Sequence, residues 1–184
     1  MLQKGMSKQQ IEKELEGKGD FVKINYLSRF LDKDISLDMK KFVYTKLSEI
    51  YEKMKMFNES GKMYSNLAEI SITFSDKIKY HIIEAEAYIR AGSFDLSDKA
   101  LKKALHYANL TQKTEIVFLI KEFYKKQANI YEIEKRRNHA VKIYEKLASM
   151  NLTEVERKEV KEKLMSLYQQ LGMSREYNLL KGRG

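Results

Sequence analysis

The chain has 184 residues, no cysteine, no proline, 43% hydrophobic and 33% charged residues, and a net charge of +9. That size and apolar content suffice for one ordinary domain with a sizeable core and argue against wholesale disorder. The missing cysteines exclude a disulfide framework, a Cys-ligated zinc and a thiol nucleophile, and the missing prolines favour helices over strands and turns.

The opening MLQKGMSKQQIEKELEGKG contains no continuous apolar core, so no secretory signal is visible. No run approaches the roughly 18 apolar residues needed to span a bilayer, and a cytoplasmic protein without a membrane span is expected. Ser7-Lys8-Gln9-Gln10 has the form of a capping box and opens the first helix, which stops by Gly17-Lys18-Gly19. Asp20 is placed to cap a second helix running to about Leu31. After a polar link, Leu37 to Lys55 and Phe57 to Ile72 read as two further helices. Ser75 caps the next, to Ala91, where Gly92 suits a left-handed C-terminal cap, and Asp95 to Ala108 follows. Asn109 to Gln112 reads as a break before a long helix, Lys113 to Glu134, and then Asn138 to Ser149. Thr153-Glu154-Val155-Glu156 is a second capping box; its helix runs to Gln170, Gly172 closes it, and Ser174 starts a short last helix. The expectation is an all-α chain of about ten helices, without strand, forming a single domain over 1–184.

Weak copies of one pattern recur. The clearest are Tyr124-x2-Gln127-Ala128-x2-Tyr131 with Ala140-x3-Tyr144, and Tyr44-x2-Leu47-Ser48-x2-Tyr51 with Ser60-x3-Tyr64. A third has Ala85-x2-Tyr88, Gly92 and Ser97-x3-Leu101, and a partial fourth has Tyr168, Gly172 and Tyr177. With Leu15 as a degenerate first anchor, the anchors Leu15, Tyr51, Tyr88, Tyr131 and Tyr168 lie 36, 37, 43 and 37 residues apart. Large residues alternate with small ones at helical spacing, which lets paired helix axes approach closely.

The pattern resembles the tetratricopeptide repeat (TPR) family over roughly Ser7 to Leu180. It departs from the family in its longer interval, against roughly 34 residues, and in lacking the closing proline. That drift is similar to the soluble attachment-protein (SNAP) group of TPR-like proteins. The resemblance implies a right-handed solenoid of antiparallel helix pairs, and a non-catalytic adaptor or scaffold that holds a partner peptide or helix in a concave groove lined by the first helices of each pair. Carried over position by position, the groove candidates are Thr45, Glu49 and Lys53; Ile82, Glu86 and Arg90; and Lys125 and Asn129. Lys125 and Asn129 also match the opening pair of the carboxylate-clamp subfamily, although Lys163 stands where its second Asn belongs.

Charge is uneven: residues 1–100 carry a net +1, and residues 101–184 a net +8. The asymmetry suits an acidic partner, and the alternative function is an RNA- or ribosome-associated factor. Its basic patch would comprise Lys99, Lys103, Lys135, Arg136, Arg137, Lys142 and Lys146, with Arg175, Lys181 and Arg183 near the end. A solvated basic surface that aids solubility stands beside that reading. Self-association through an unpaired terminal helix is a third possibility for partners.

No nucleotide-binding, zinc-protease, serine-hydrolase or calcium-loop motif is present. The three histidines, His81, His106 and His139, are scattered and read as surface or core-edge residues, without metal-ligand spacing. Most tyrosines fall at packing positions. An enzyme, a metal and a cofactor are not expected.

Overall fold

The computed structural model describes residues 2–182 and is all-α, with ten helices and no strand among them. In chain order these are α1 (Lys8–Leu15), α2 (Asp20–Leu31), α3 (Leu37–Lys53), α4 (Phe57–Glu69), α5 (Phe74–Ala91), α6 (Phe94–Tyr107), α7 (Leu110–Ile133), α8 (Arg137–Ala148), α9 (Glu154–Leu171) and α10 (Ser174–Lys181). Two compact units, Met1–Ile116 and Val117–Gly184, divide the chain, and the division falls within α7. Arg183 lies outside the described residues.

In the first unit α2, α3, α4, α5 and α6 pack in succession. Its N-terminal core is built from Leu2, Ile11, Leu15, Leu27, Phe30, Val43 and Leu47, all buried, with Tyr51 and Met63 packed against them. Each such aliphatic or aromatic side chain contributes about 1.5–3 kcal/mol on burial, an upper bound for a real unfolded chain. The segment before α1 is held down because Lys33 Nζ donates to the Leu2 carbonyl at 2.8 Å. In the second unit α8 packs on α9 and α9 on α10.

One turn recurs four times with the same geometry. The N–H groups of Met56, Ser93, Arg136 and Met173 donate back to the carbonyls of Tyr51, Tyr88, Tyr131 and Tyr168, at 2.8 to 2.9 Å. The residue before each donor is left-handed: Lys55 (φ 58), Gly92 (φ 75), Lys135 (φ 57) and Gly172 (φ 69). This is the Schellman way of satisfying a helix's last carbonyls. Gly92 and Gly172 are as expected; Lys55 and Lys135 adopt a conformation that costs an L-residue about 1–2 kcal/mol. The anchor tyrosines of the sequence pattern are thus the residues at which each turn closes.

Local capping agrees with the sequence at both capping boxes, Ser7 with Gln10 and Thr153 with Glu156. Three other expectations change. Asp20 is the first residue of α2, not its cap; Gly19 takes the cap position, and the Asp20 carboxylate accepts from Lys53 Nζ at 2.9 Å. Thr73, not Ser75, caps α5, because α4 stops at Glu69 and frees the chain to begin the next helix sooner. Asn109 to Gln112 is no break: Gln112 N–H donates to Asn109 Oδ1 and Asn109 N–H to Gln112 Oε1, a reciprocal cap that starts α7 at Leu110.

Four residues into the second helix of three of these turns stand the small, buried Ser60, Ser97 and Ala140. Ser60 Oγ reaches Glu52 Oε1 at 3.4 Å, whereas Ser97, 1% exposed, has a buried hydroxyl without a hydrogen-bond partner. An unpaired buried hydroxyl costs about 1–3 kcal/mol, and Ala is the better helix former. Ser97→Ala should therefore raise stability by about 1 kcal/mol, seen as a higher melting temperature by circular dichroism. Ser60→Ala should not. A destabilised Ser97→Ala would show that the hydroxyl has a partner in solution.

Candidate functional site

An open cleft of about 620 Å³ lies in the first unit, lined by Glu12, Lys13, Leu15, Glu16, Lys23, Lys46, Glu49 and Ile50. Helices α1, α2 and α3 supply its walls. The buried Leu15 and half-buried Ile50 give it apolar ground, and charges of both signs ring it. Lys46 Nζ is held at 2.9 Å by Glu12 and at 3.5 Å by Glu49, which raises its pKa, chiefly through the bond to Glu12. A volume of this order suits a bound side-chain segment or small ligand.

The sequence candidates for the groove have different fates. Glu49 lines the cleft and is exposed. Thr45 is exposed with its hydroxyl donating to the Lys41 carbonyl, and Lys53 is committed to Asp20. Ile82 and Glu86 are half-buried on α5. Arg90 sits 4.0 Å above the Phe57 ring and 3.6 Å from Glu52. In the second unit Lys125 pairs with Glu122 and Glu156, while Asn129 is exposed.

A recurring carboxylate explains why some of these are engaged. Glu52 accepts from Tyr64 at 2.9 Å and faces Arg90; Glu132 accepts from Tyr144 at 2.6 Å and from Lys163 at 3.0 Å. In each case the glutamate follows an anchor tyrosine, the phenol comes from the next helix and the cation from the helix after. Ile50-Tyr51-Glu52, Lys55 and Tyr64 recur 80 positions on as Ile130-Tyr131-Glu132, Lys135 and Tyr144, and Tyr88 and Gly92 recur as Tyr168 and Gly172. That longer period relates the two glutamate–tyrosine pairs and the two turn lysines but not the cations, since Gln170 stands 80 positions after Arg90 and Ile83 stands 80 before Lys163.

Burial pushes the Tyr64 phenol up to about 12, with Glu52 adding to it. It does the same to Tyr88 and, with Glu145, to Tyr168, and it raises Tyr144 further beside Glu132. A phenol raised above its unfolded value favours the folded state below pH about 10 and loses that contribution as pH climbs through the folded value. Burial raises the Tyr51 phenol as well, so five of the chain's 12 tyrosines should titrate late. In an alkaline titration, part of the tyrosinate absorbance should appear only as helicity collapses near pH 12. A single ordinary step with helices intact would contradict the burial. At the acid side, Lys121 and the Thr153 N–H hold Glu156 down at about 2, so this carboxylate's contribution is present above its ordinary range and fades as pH falls towards that value.

The basic residues are similarly mixed. In the first unit Lys99 is exposed, and Lys103, also exposed, reaches Ser65 Oγ at 3.4 Å. In the second unit Lys135 is exposed at its turn, and Arg136 lies 4.5 Å over Tyr131 and pairs with Glu134. Arg137 Nε donates to Gln170 at 2.7 Å, Lys142 is exposed and Lys146 is half-buried. His81 is a correction: it is 4% exposed rather than at the surface or core edge, and its Nδ1 lies 2.7 Å from the equally buried Glu84 carboxylate. Sequence periodicity alone did not reveal that partner three residues on.

Among the described residues no cluster of three or more His, Cys, Asp or Glu could hold a metal, and no helix is long and apolar enough to cross a membrane. In comparisons with known proteins the chain matches no family model, no curated protein and no solved structure.

Proposed function

We propose that this chain is a non-catalytic adaptor, a TPR-like right-handed stack of antiparallel helix pairs that holds a peptide segment or helix of another protein. The observation that carries the reading is the cleft walled by α1, α2 and α3, where Glu49, one of the residues expected from the repeat register, stands beside an apolar floor. The four identical turns support antiparallel pairing, because a short left-handed closure reverses the chain between consecutive helices. Arg90 and Lys125 serve the scaffold through their ion pairs, so the informative probes are Glu49 and the exposed Asn129.

The test is affinity capture with identification by mass spectrometry, comparing wild type with Glu16→Lys, Glu49→Lys and with Asn129→Ala. The cleft variant should lose a discrete protein partner by at least about tenfold while keeping its helicity, the scale of a lost desolvated contact. Capture of the same proteins by all three would overturn the groove reading. A second reading, phosphate contacts by the basic C-terminal half, draws on the exposed Lys135 and Lys142. There, RNA binding should fall steeply with salt, and the double alanine variant should flatten that dependence. Identical salt curves would remove it.

A further inference from the structure

The first unit carries an exposed apolar ridge, none of whose residues lines the cleft. Ile72 is 80% exposed, Phe74 65% and Leu110 83%. They belong to one edge: the Phe74 ring stacks on Tyr107 at 5.5 Å, Ile72 lies two residues before Phe74, and Leu110 three after Tyr107. Phe74 and Leu110 hold the same position, the first residue of α5 and of α7, immediately after the capping Thr73 and Asn109. Leu37 holds it in α3 and is exposed too.

Each of these apolar residues is followed three positions later by a lysine: Lys40, Lys77 and Lys113. Residues three apart on a helix share a face, so cations stand behind the apolar tips. Lys77 donates to the Ala68 carbonyl and lies 5.4 Å over the Tyr107 ring, which fixes the position of its charge. Residues 102–115 add Lys102 and Lys103 against Glu115, whereas Glu69 and Asp76 are the acidic residues nearest Phe74. Over residues 69–79 and 102–115 together, five lysines stand against three acidic residues.

Side chains that stand out from turns, rather than lining a hollow, suit insertion into a soft interface. We propose that this edge docks on the surface of an anionic lipid bilayer, with Ile72, Phe74 and Leu110 entering the headgroup layer and the lysines facing lipid phosphates and carboxylates. Burial of a few large apolar side chains together with nearby cations is the combination that holds a protein at such a surface reversibly. The ridge and the cleft share no residue, and this inference does not depend on the adaptor reading.

The experiment is flotation with vesicles of about three parts phosphatidylcholine to one of phosphatidylserine, against phosphatidylcholine alone. Wild type should float with the anionic vesicles at low salt and less as salt rises. Ile72→Glu, Phe74→Ser, Leu110→Glu together should cut partitioning at least about tenfold with unchanged circular dichroism, since all three are exposed. As the chain has no tryptophan, Leu110→Trp offers a second readout: its emission should shift to the blue on adding anionic vesicles. No flotation at low salt, equal flotation of the triple variant, or an unshifted tryptophan would overturn the proposal. So would a dimer, seen by light scattering, that the triple variant dissolves without any lipid binding, because a second copy would then be what covers the ridge.

Discussion

Gly61→Val is expected to destabilise the protein by about 1–3 kcal/mol, the usual range for overpacking a closed interior. A Cβ added at Gly61 would stand 2.7 Å from Cε1 and 2.8 Å from Cζ of Tyr88. That ring cannot step aside: Tyr88 is 5% exposed, packed where α4 meets α5. The gain in helix propensity on replacing glycine is below about 1 kcal/mol, so the clash wins. Thermal melts should show the loss, and Gly61→Ala should fall between wild type and Gly61→Val. Removing the ring edge with Tyr88→Leu should make the added side chain cheaper, so the two positions should be coupled in a double-mutant cycle. A Gly61→Val protein melting at or above wild type would contradict this packing. The comparison is sharpened by the internal period, since Val141 stands 80 positions after Gly61. By analogy alone valine would look safe.

Glu132→Ala should cost about 2–3 kcal/mol, and Lys163→Ala less than about 1 kcal/mol, although both belong to one ion pair. The difference lies in what each removal leaves behind. Without Glu132 the Tyr144 hydroxyl, otherwise 2.6 Å from the carboxylate, is left in a buried residue without its acceptor. Without Lys163, whose side chain is 43% exposed, the carboxylate keeps the phenol and gains water. Glu132→Gln keeps an acceptor and should recover much of the loss. Glu52→Ala should fall in between, because its tyrosine, Tyr64, is only half-buried and Arg90 stands farther off at 3.6 Å. Equal losses for Glu132→Ala and Lys163→Ala, measured by chemical denaturation of each variant, would assign the network to charge pairing instead.

Much of the candidate site is a matter of distance along the chain. Counting positions from the anchor tyrosines selects Glu49, which in the structure is one of the residues at the cleft. The same counting put Arg90 and Lys125 on a binding face, but their charges are engaged by Glu52 and Glu156, which lie 38 and 31 residues away. The exposed ridge of Ile72, Phe74 and Leu110 had no periodic signature of burial to flag it, because exposure is a property of what fails to pack against a side chain.

By itself the sequence determined the helical class, the number of helices, and the ends where a partner lies within about five residues. Ser7 with Gln10, Thr153 with Glu156, Gly92 and Gly172 are of that kind, since caps are closed by the chain's own neighbouring N–H and carbonyl groups. The tertiary structure decided the rest. Lys55 and Lys135 take a left-handed conformation that no local preference of lysine favours, and Asp20 serves Lys53 instead of a helix end. His81 meets its carboxylate partner out of solvent only once α5 is packed. Whether a side chain is covered, strained or paired depends on helices that arrive from elsewhere in the chain, and their arrival is set by the collective burial of the core rather than by any residue's own propensity.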